Sequence, residues 1–203
     1  MPVKNIYKDY ASDSYYHIYN RGVNRAEIFK DEKDFIVFLS LLKRYLGKEV
    51  QRQQNREPHP NYHQQIDLLA FCLMKNHFHL FIYQSAAEAI IEFMRSLGVS
   101  YGMYFNKRYK RQGPIFQQRY KAVRIIDDSQ LLHITRYIHM NPESYKQYEW
   151  SSLPYYLGRK QASWVQPGRI LELFEGDYYM RFLDDFKHKR AELKALKEEL
   201  ADA

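Results

Sequence analysis

"IDLLAFCLMKNHFHLFIYQ" (residues 66–84) holds two apolar, β-branched and aromatic runs split by Lys75-Asn76, a turn pair. This is the pattern of a β-hairpin, with His77 at the start of the second strand. Around it the same logic sets out a chain of alternating elements. Residues 14–21, "SYYHIYNR", form a strand that stops before Gly22, which reads as a turn glycine. "DEKDFIVFLSLLKRYLG" begins acidic, ends basic before Gly47, and spaces Phe35, Phe38, Leu39, Leu42 and Leu46 at helical intervals. "KEVQRQQNREPHPNYHQQ" is a polar loop. After the hairpin comes a long helix through "AAEAIIEFMRSLGVSYGMYFNKRYKR", weakened by Gly98 and Gly102. A loop, a short strand at "AVRIID" and a helix over "DSQLLHITRYIHMN" follow, and Pro142 marks the end of that helix. The order β-α-β-β-α-β-α predicts an α+β fold. Its first six elements match the ferredoxin-like split βαβ pattern, an antiparallel sheet with helices on one face.

The chain has 203 residues, of which 45% are hydrophobic and 16% aromatic, enough for one packed core and too rich in rings for a disordered chain. One cysteine, Cys72, allows no internal disulfide, so a reducing cytoplasm is expected. The N-terminal segment lacks the apolar core of a signal peptide, and no apolar run approaches the roughly 20 residues of a membrane helix.

The net charge of +7 is concentrated. No acidic residue lies between Glu92 and Asp127, while Arg95, Lys107, Arg108, Lys110, Arg111, Arg119, Lys121 and Arg124 do. Tyr101, Tyr104, Phe105, Tyr109, Phe116 and Tyr120 are interleaved. Cations that pair with phosphates and rings that stack on unpaired bases are the footprint of nucleic-acid binding. A solvated helix face followed by a basic loop is the plainer reading of the same window.

His77 and His79 stand two apart in a strand, so both project to one face while Phe78 turns to the other. Two neutral imidazoles side by side offer a two-point chelate for a divalent ion. A pair of half-buried, hydrogen-bonded histidines reads equally well from the spacing alone. On the later helix, Leu131, Ile134 and Ile138 form the core stripe, and Tyr137, His133 and Asn141 form a polar ridge bordering it. In a chain with 19 tyrosines, Tyr137 by itself reads as a packing residue.

Taken in order, "YHIYNRGVNR" (16–25), "CLMKNHFHLFI" (72–82), "GPIFQQRYKAVRI" (113–125), "LLHITRYIHMNP" (131–142) and "EWSSLPYYLG" (149–158) resemble the single-tyrosine HUH transposases, specifically the REP-associated tyrosine transposase group of the IS200-like family. The resemblance spans roughly residues 15–158. It implies a transposase domain over residues 1–158; residues 159–203, of which 160–203 carry no such resemblance, read as a mostly helical C-terminal extension. The end of that extension is a mixed-charge helix with Phe186, Leu193 and Leu200 at heptad spacing.

The resemblance also implies chemistry. Tyr137 would be the nucleophile, forming a 5′-phosphotyrosine on hairpin-bearing (REP-like) single-stranded DNA. His77, His79 and Asn141 would hold one Mg²⁺ or Mn²⁺, with imidazole ligands favouring Mn²⁺ in vitro. Arg21, Arg25, Lys75, Lys107, Arg108, Lys110, Arg111, Arg119, Tyr120, Lys121 and Arg124 are the expected DNA contacts. Arg21 is equally placed to brace its own turn. Lys75 stands where the family usually has Pro, and the 51–65 segment is longer than usual. His133 reads as a helix-surface histidine, His139 as structural, and Trp150 and Trp164 as packing residues. A bacterial, cytoplasmic enzyme acting at the nucleoid is implied, as monomer or homodimer. A domesticated hairpin-binding protein without cleavage activity, and a metal-dependent nuclease using water, are the competing readings.

Overall fold

The computed structural model describes residues 10–49, 58–174 and 178–185. The helix expected around Phe186, Leu193 and Leu200, and residues 50–57 of the polar loop, lie outside them. The expected element order is observed. Strand β1 (Ser14–Arg21) is followed by helix α1 (Glu32–Leu46), strands β2 (Ile66–Met74) and β3 (His77–Gln84), and helix α2 (Ala89–Arg108). Strand β4 (Lys121–Ile125), helix α3 (Asp128–His139) and three short helices, α4 (Leu153–Tyr156), α5 (Gly168–Leu171) and α6 (Tyr178–Asp184), complete it. The strands make one fully antiparallel sheet in the order β2-β3-β1-β4.

Side-chain alternation divides the sheet into two buried faces. Tyr16, Ile18, Phe78, Leu80 and Ile82 point into a core shared with α1 and α2. This is the helix-covered face of the split βαβ pattern. Phe81, Cys72 and Ile125 point to the opposite face, where Leu131, Ile134 and Ile138 of α3 cover them. The seventh element thus adds a layer, and the sheet carries helices on both sides. A bulge between Leu68 and Ala70 lets Leu69 also join the α3 face of β2.

Local chemistry explains the helix ends. The Asp31 carboxylate caps α1 by accepting from the Asp34 N–H, and Asp127 caps α3 by accepting from Gln130 N–H. In α1 the buried stripe takes in Leu41 and Tyr45 and leaves Leu39 half-buried, a small rotation from the expected face. Helix α2 runs unbroken through Gly98 and Gly102, because its buried face (Phe93, Leu97, Tyr101 and Phe105) outweighs their low propensity.

Residues beyond 141 are built into this fold. Trp150 and Ser152 exchange backbone hydrogen bonds with Leu73 and Phe71, extending the sheet past β2. Trp164 stacks on Phe71 at 5.7 Å and Trp150 on Phe35 at 4.7 Å, so both are packing residues. Ile170 of α5 and Tyr179 and Leu183 of α6 are buried in the second core, α5 packing on β2 and Tyr179 against His139 of α3. The described part of the 159–203 segment therefore shares its core with the preceding 158 residues.

Candidate active site

On the α3 face, period-two alternation lines up Tyr15, His17, Tyr19 and Arg21 of β1 beside His77, His79 and Phe81 of β3. The register pairs Tyr19 with His79 and Arg21 with His77. Toward one end of this face the apolar packing gives way to a cavity of about 460 Å³. Its lining includes His77, His79, Tyr137 and Asn141, contributed by β3, by α3 and by the turn that ends α3. One chain supplies all four.

The Tyr137 ring stands edge-on to His79, centroids 5.2 Å apart, and edge-on to His17 at 5.8 Å. His133 and Asn141, the partners of Tyr137 on the expected polar ridge of α3, are half-buried, while Tyr137 is 3% exposed. Its ring belongs to the second core. His77 Nε2 lies 3.2 Å from Asn141 Oδ1, and His77 Nδ1 lies 2.7 Å from Asn76 Oδ1. Both facing atoms are amide oxygens, which only accept, and in the tautomer that donates across the shorter contact the proton of a neutral His77 sits on Nδ1 and goes to Asn76. Nε2 then presents its lone pair toward the Asn141 oxygen. Two acceptors converging in this way suit a cation between them. Octahedral ligands on an ion with bonds of about 2.1 Å are themselves about 3.0 Å apart. Asn76 thereby does for His77 what an outer-shell partner does in metal sites. Among the described residues there is no group of three or more His, Cys, Asp or Glu placed to hold a metal. The donor set that fits is two imidazoles and an amide.

Sequence reasoning passed over His17. It is fully buried, its Nε2 lies 2.9 Å from His79 Nδ1, and Tyr19 stacks on both rings, at 5.0 and 5.9 Å. The available signal was the alternation in "SYYHIYNR", which puts His17 on the same face as Tyr19 and Arg21. Asn76 and Gln117 were also missed.

The expected DNA contacts separate into two groups. Arg21, Arg25, Arg119 and Lys121 line the cavity together with Asn20, Gln117 and Gln118. Their wall is braced by backbone bonds: Gly22 N–H donates to Asn76 O, Val23 N–H to Ile115 O and Gln117 N–H to Arg21 O. Gly22 is required by close approach and not by a left-handed turn. A Cβ there would meet Ala26 O at 2.1 Å. The left-handed residues of that turn are Asn24 and Arg25, at φ 52 and 60. Arg21 Nε donates to Gln117 Oε1, so it braces the 117–119 loop while lining the cavity.

Lys75, Lys107, Arg108, Lys110, Arg111, Tyr120 and Arg124 do not line it. Two of these are engaged with other parts of the fold. Arg108 bridges Asp31 and the buried Asp34, tying α2 to α1. Tyr120 alternates with Arg119 and Lys121 and so turns to the α1–α2 side, where its ring packs against the first core. Lys75 is exposed and 3.9 Å from Glu27, while its carbonyl accepts from Ile28 and Phe29 N–H. Arg124 is opposite Tyr16 on β4, directed away from the cavity face.

His133 lies one turn before Tyr137 but outside the cavity lining. His139 is structural: it is fully buried, with Nδ1 2.6 Å from Tyr179 Oη and Nε2 2.7 Å from Ser152 Oγ. Burial holds its imidazole down to about 3. Among the described residues, no helix is long and apolar enough to cross a membrane.

The family model described as "Transposase IS200 like" matches residues 10–141. Among solved structures, one of a REP-associated tyrosine transposase bound to a REP hairpin superposes with a TM-score of 0.54. It is 13% identical, covering 82% of this chain and 92% of the other. A crystal structure of a candidate transposase from Deinococcus radiodurans R1 matches at a TM-score of 0.41 and 15% identity, covering 68% of this chain and 95% of that one. Among curated proteins, none matches.

Proposed function

The chain belongs to the IS200-like transposase family, and from that premise we propose that it cuts and rejoins hairpin-bearing single-stranded DNA through Tyr137. The observation that carries the reading is the approach of Tyr137 to His79, 5.2 Å between ring centroids, in a cavity walled by four cations. A nucleophile, a ligand set for a divalent ion and a phosphate-binding wall occur together. A binding protein needs only the last of these.

In the proposed reaction Tyr137 Oη attacks the scissile phosphorus. The Oη–P bond forms, the P–O3′ bond breaks, the phenolic proton leaves, and the departing oxygen gains a proton to become a 3′-OH. The phosphodiester energy is retained in the tyrosine ester, so rejoining to another 3′-OH needs no ATP. His77, His79 and Asn141 would hold Mg²⁺ or Mn²⁺, which when bound supplies Lewis-acid polarisation of the phosphate. Arg21, Arg25, Arg119 and Lys121 hold the phosphates on either side in register with Tyr137, and lower the free energy of a doubly anionic transition state. The deep setting of Tyr137 against His17 and His79 limits its motion, which favours in-line attack from one direction. The hairpin-bound structural relative motivates hairpin-bearing strands as the substrate to try.

The test is a denaturing gel with end-labelled hairpin-containing strands and Mn²⁺ or Mg²⁺. A labelled protein–DNA adduct that needs the metal and disappears in Tyr137→Phe is expected. Cleavage that survives Tyr137→Phe and leaves no adduct would point to hydrolysis by water. Tight hairpin binding without cleavage would point to a domesticated binder.

A further inference from the structure

Building on the metal-centre reading above, we propose that His17 is the positioning residue that selects the metal-binding tautomer of His79. His17 is 0% exposed and His79 3% exposed, and their facing nitrogens, Nε2 and Nδ1, are 2.9 Å apart. Two neutral imidazoles in contact share one hydrogen, and there are two ways to place it. If His79 Nδ1 donates to His17, the far nitrogen of His79, Nε2, keeps its lone pair for a cation. If His17 Nε2 donates instead, the proton of His79 moves to Nε2, and His79 is lost as a ligand. The tautomer of His17 therefore decides whether His79 binds metal.

Ring orientation is fixed by the same group. Tyr19 stacks across both imidazoles, at 5.0 Å from His17 and 5.9 Å from His79, and Tyr137 stands edge-on to both. The His79 ring has little room to turn, and its Nδ1 edge meets His17. Asn76 serves His77 in the parallel way, through Oδ1 at 2.7 Å from Nδ1. Each ligand histidine thus has its own orienting partner. The partners differ in kind: an amide oxygen can only accept, whereas an imidazole can do either. Asn76 can orient His77 only as its Nδ1–H tautomer, and His17 orients His79 that way only when it carries its own proton on Nδ1. Among the described residues, no carboxylate lines the cavity. A neutral imidazole acceptor raises ligand basicity less than a carboxylate does, so His79 is tuned as a moderate ligand.

The test uses the full chain and Mn²⁺ alone, with free ion measured by electron paramagnetic resonance. His17→Gln places an amide oxygen near the former Nε2 position, whereas His17→Asn stops about one bond short and His17→Leu offers no acceptor. Loss of the outer partner is expected to weaken Mn²⁺ binding by about 10–100-fold in His17→Leu and His17→Asn. His17→Gln should remain within a few-fold of wild type. Hairpin binding without metal should not change in any of them. Should His17→Leu fail to fold, the Gln and Asn variants carry the comparison. Equal losses in those two, or wild-type Mn²⁺ affinity in His17→Leu, would overturn the proposal alone. A wild-type protein that takes up no Mn²⁺ through His77 and His79 would instead overturn the metal reading beneath it, and the proposal with it. A second readout needs no variant: ¹⁵N long-range correlation spectra of the Mg²⁺-loaded protein should show His79 protonated on Nδ1. An Nε2–H signature there would overturn the assignment.

Discussion

His77 Nε2 and Asn141 Oδ1 face each other 3.2 Å apart, although 64 residues separate them in the chain. The contact joins the first residue of β3 to the turn that ends α3, beside Tyr137. The pair is satisfied by a proton on Nε2 or, when the proton sits on Nδ1, by a cation between the two atoms. Asn141→Leu should therefore lower Mn²⁺ affinity by about tenfold or more, since a direct ligand matters at least as much as an outer-shell one. Asn141→Asp should raise it, because a carboxylate is the stronger hard ligand. Isothermal titration with Mn²⁺ checks both, and equal affinities in the two variants would remove Asn141 from the ligand set.

The two groups of cations give opposite expectations. Arg21→Ala and Lys121→Ala should each weaken single-strand binding and reduce the slope of log affinity against log salt by about 0.7, the loss of one phosphate contact. Arg124→Ala and Lys107→Ala should leave the slope unchanged, since neither residue lines the cavity. Arg108→Ala should lower the unfolding temperature, because the buried Asp34 loses its guanidinium partner and keeps only hydrogen bonds from Tyr104, Tyr109 and the Lys30 N–H. Fluorescence anisotropy over a salt series, paired with thermal melts, separates these cases.

A Cβ added at Gly98 or Gly102 meets nothing within 4 Å, and both residues lie inside the continuous helix α2. Gly98→Ala and Gly102→Ala should each stabilise the fold by about 0.5–1 kcal/mol, chiefly by reducing the freedom of the unfolded chain. Urea midpoints should rise with no change in slope. A fall in midpoint would mean that the glycine face of α2 has a packing role.

Residues show where the sequence speaks and where it is silent. His77 and His79 are legible as a pair because a strand repeats every two residues, and Tyr137 and Asn141 because a helix brings i and i+4 together. That the two pairs meet depends on the sheet order and on which face α3 covers, and only the resemblance to a family anticipated it. The face of His17 was legible from alternation, but its contact with His79 was not, because the two lie 62 positions apart across a register that no local pattern encodes. The ion pairs of Arg108 were illegible for the same reason. Its charged sequence neighbours are basic, and the carboxylates it pairs with lie 74 and 77 residues upstream. Tyr120 turns away from the cavity because alternation in the approach to β4 sends it opposite to Arg119 and Lys121.

His139 ties the tyrosine-bearing helix to the end of the described chain, through Tyr179 of α6 and Ser152. Arg136, one turn earlier, donates to Phe182 O and lies 3.5 Å over the Phe182 ring. Helix α6 thus holds α3 against the sheet from outside the 10–141 family match. The His139 pKa is lowered from 6.5 to about 3 by burial, so the folded protein keeps the ring neutral while the unfolded chain protonates it. The stabilisation is complete above about pH 6.5 and is lost as pH falls toward 3. At pH 5.5 the unfolded state gains about 1.4 kcal/mol from this one proton. His139→Gln should flatten that part of the acid limb while lowering stability at neutral pH, where the pairing with Tyr179 and Ser152 is disturbed. Urea unfolding at pH 7.5 and 5.5 checks the sign. If the variant loses as much stability between the two as wild type, His139 titrates in the fold, and the lock between α3 and α6 is looser than its 2.6 Å contact with Tyr179 implies.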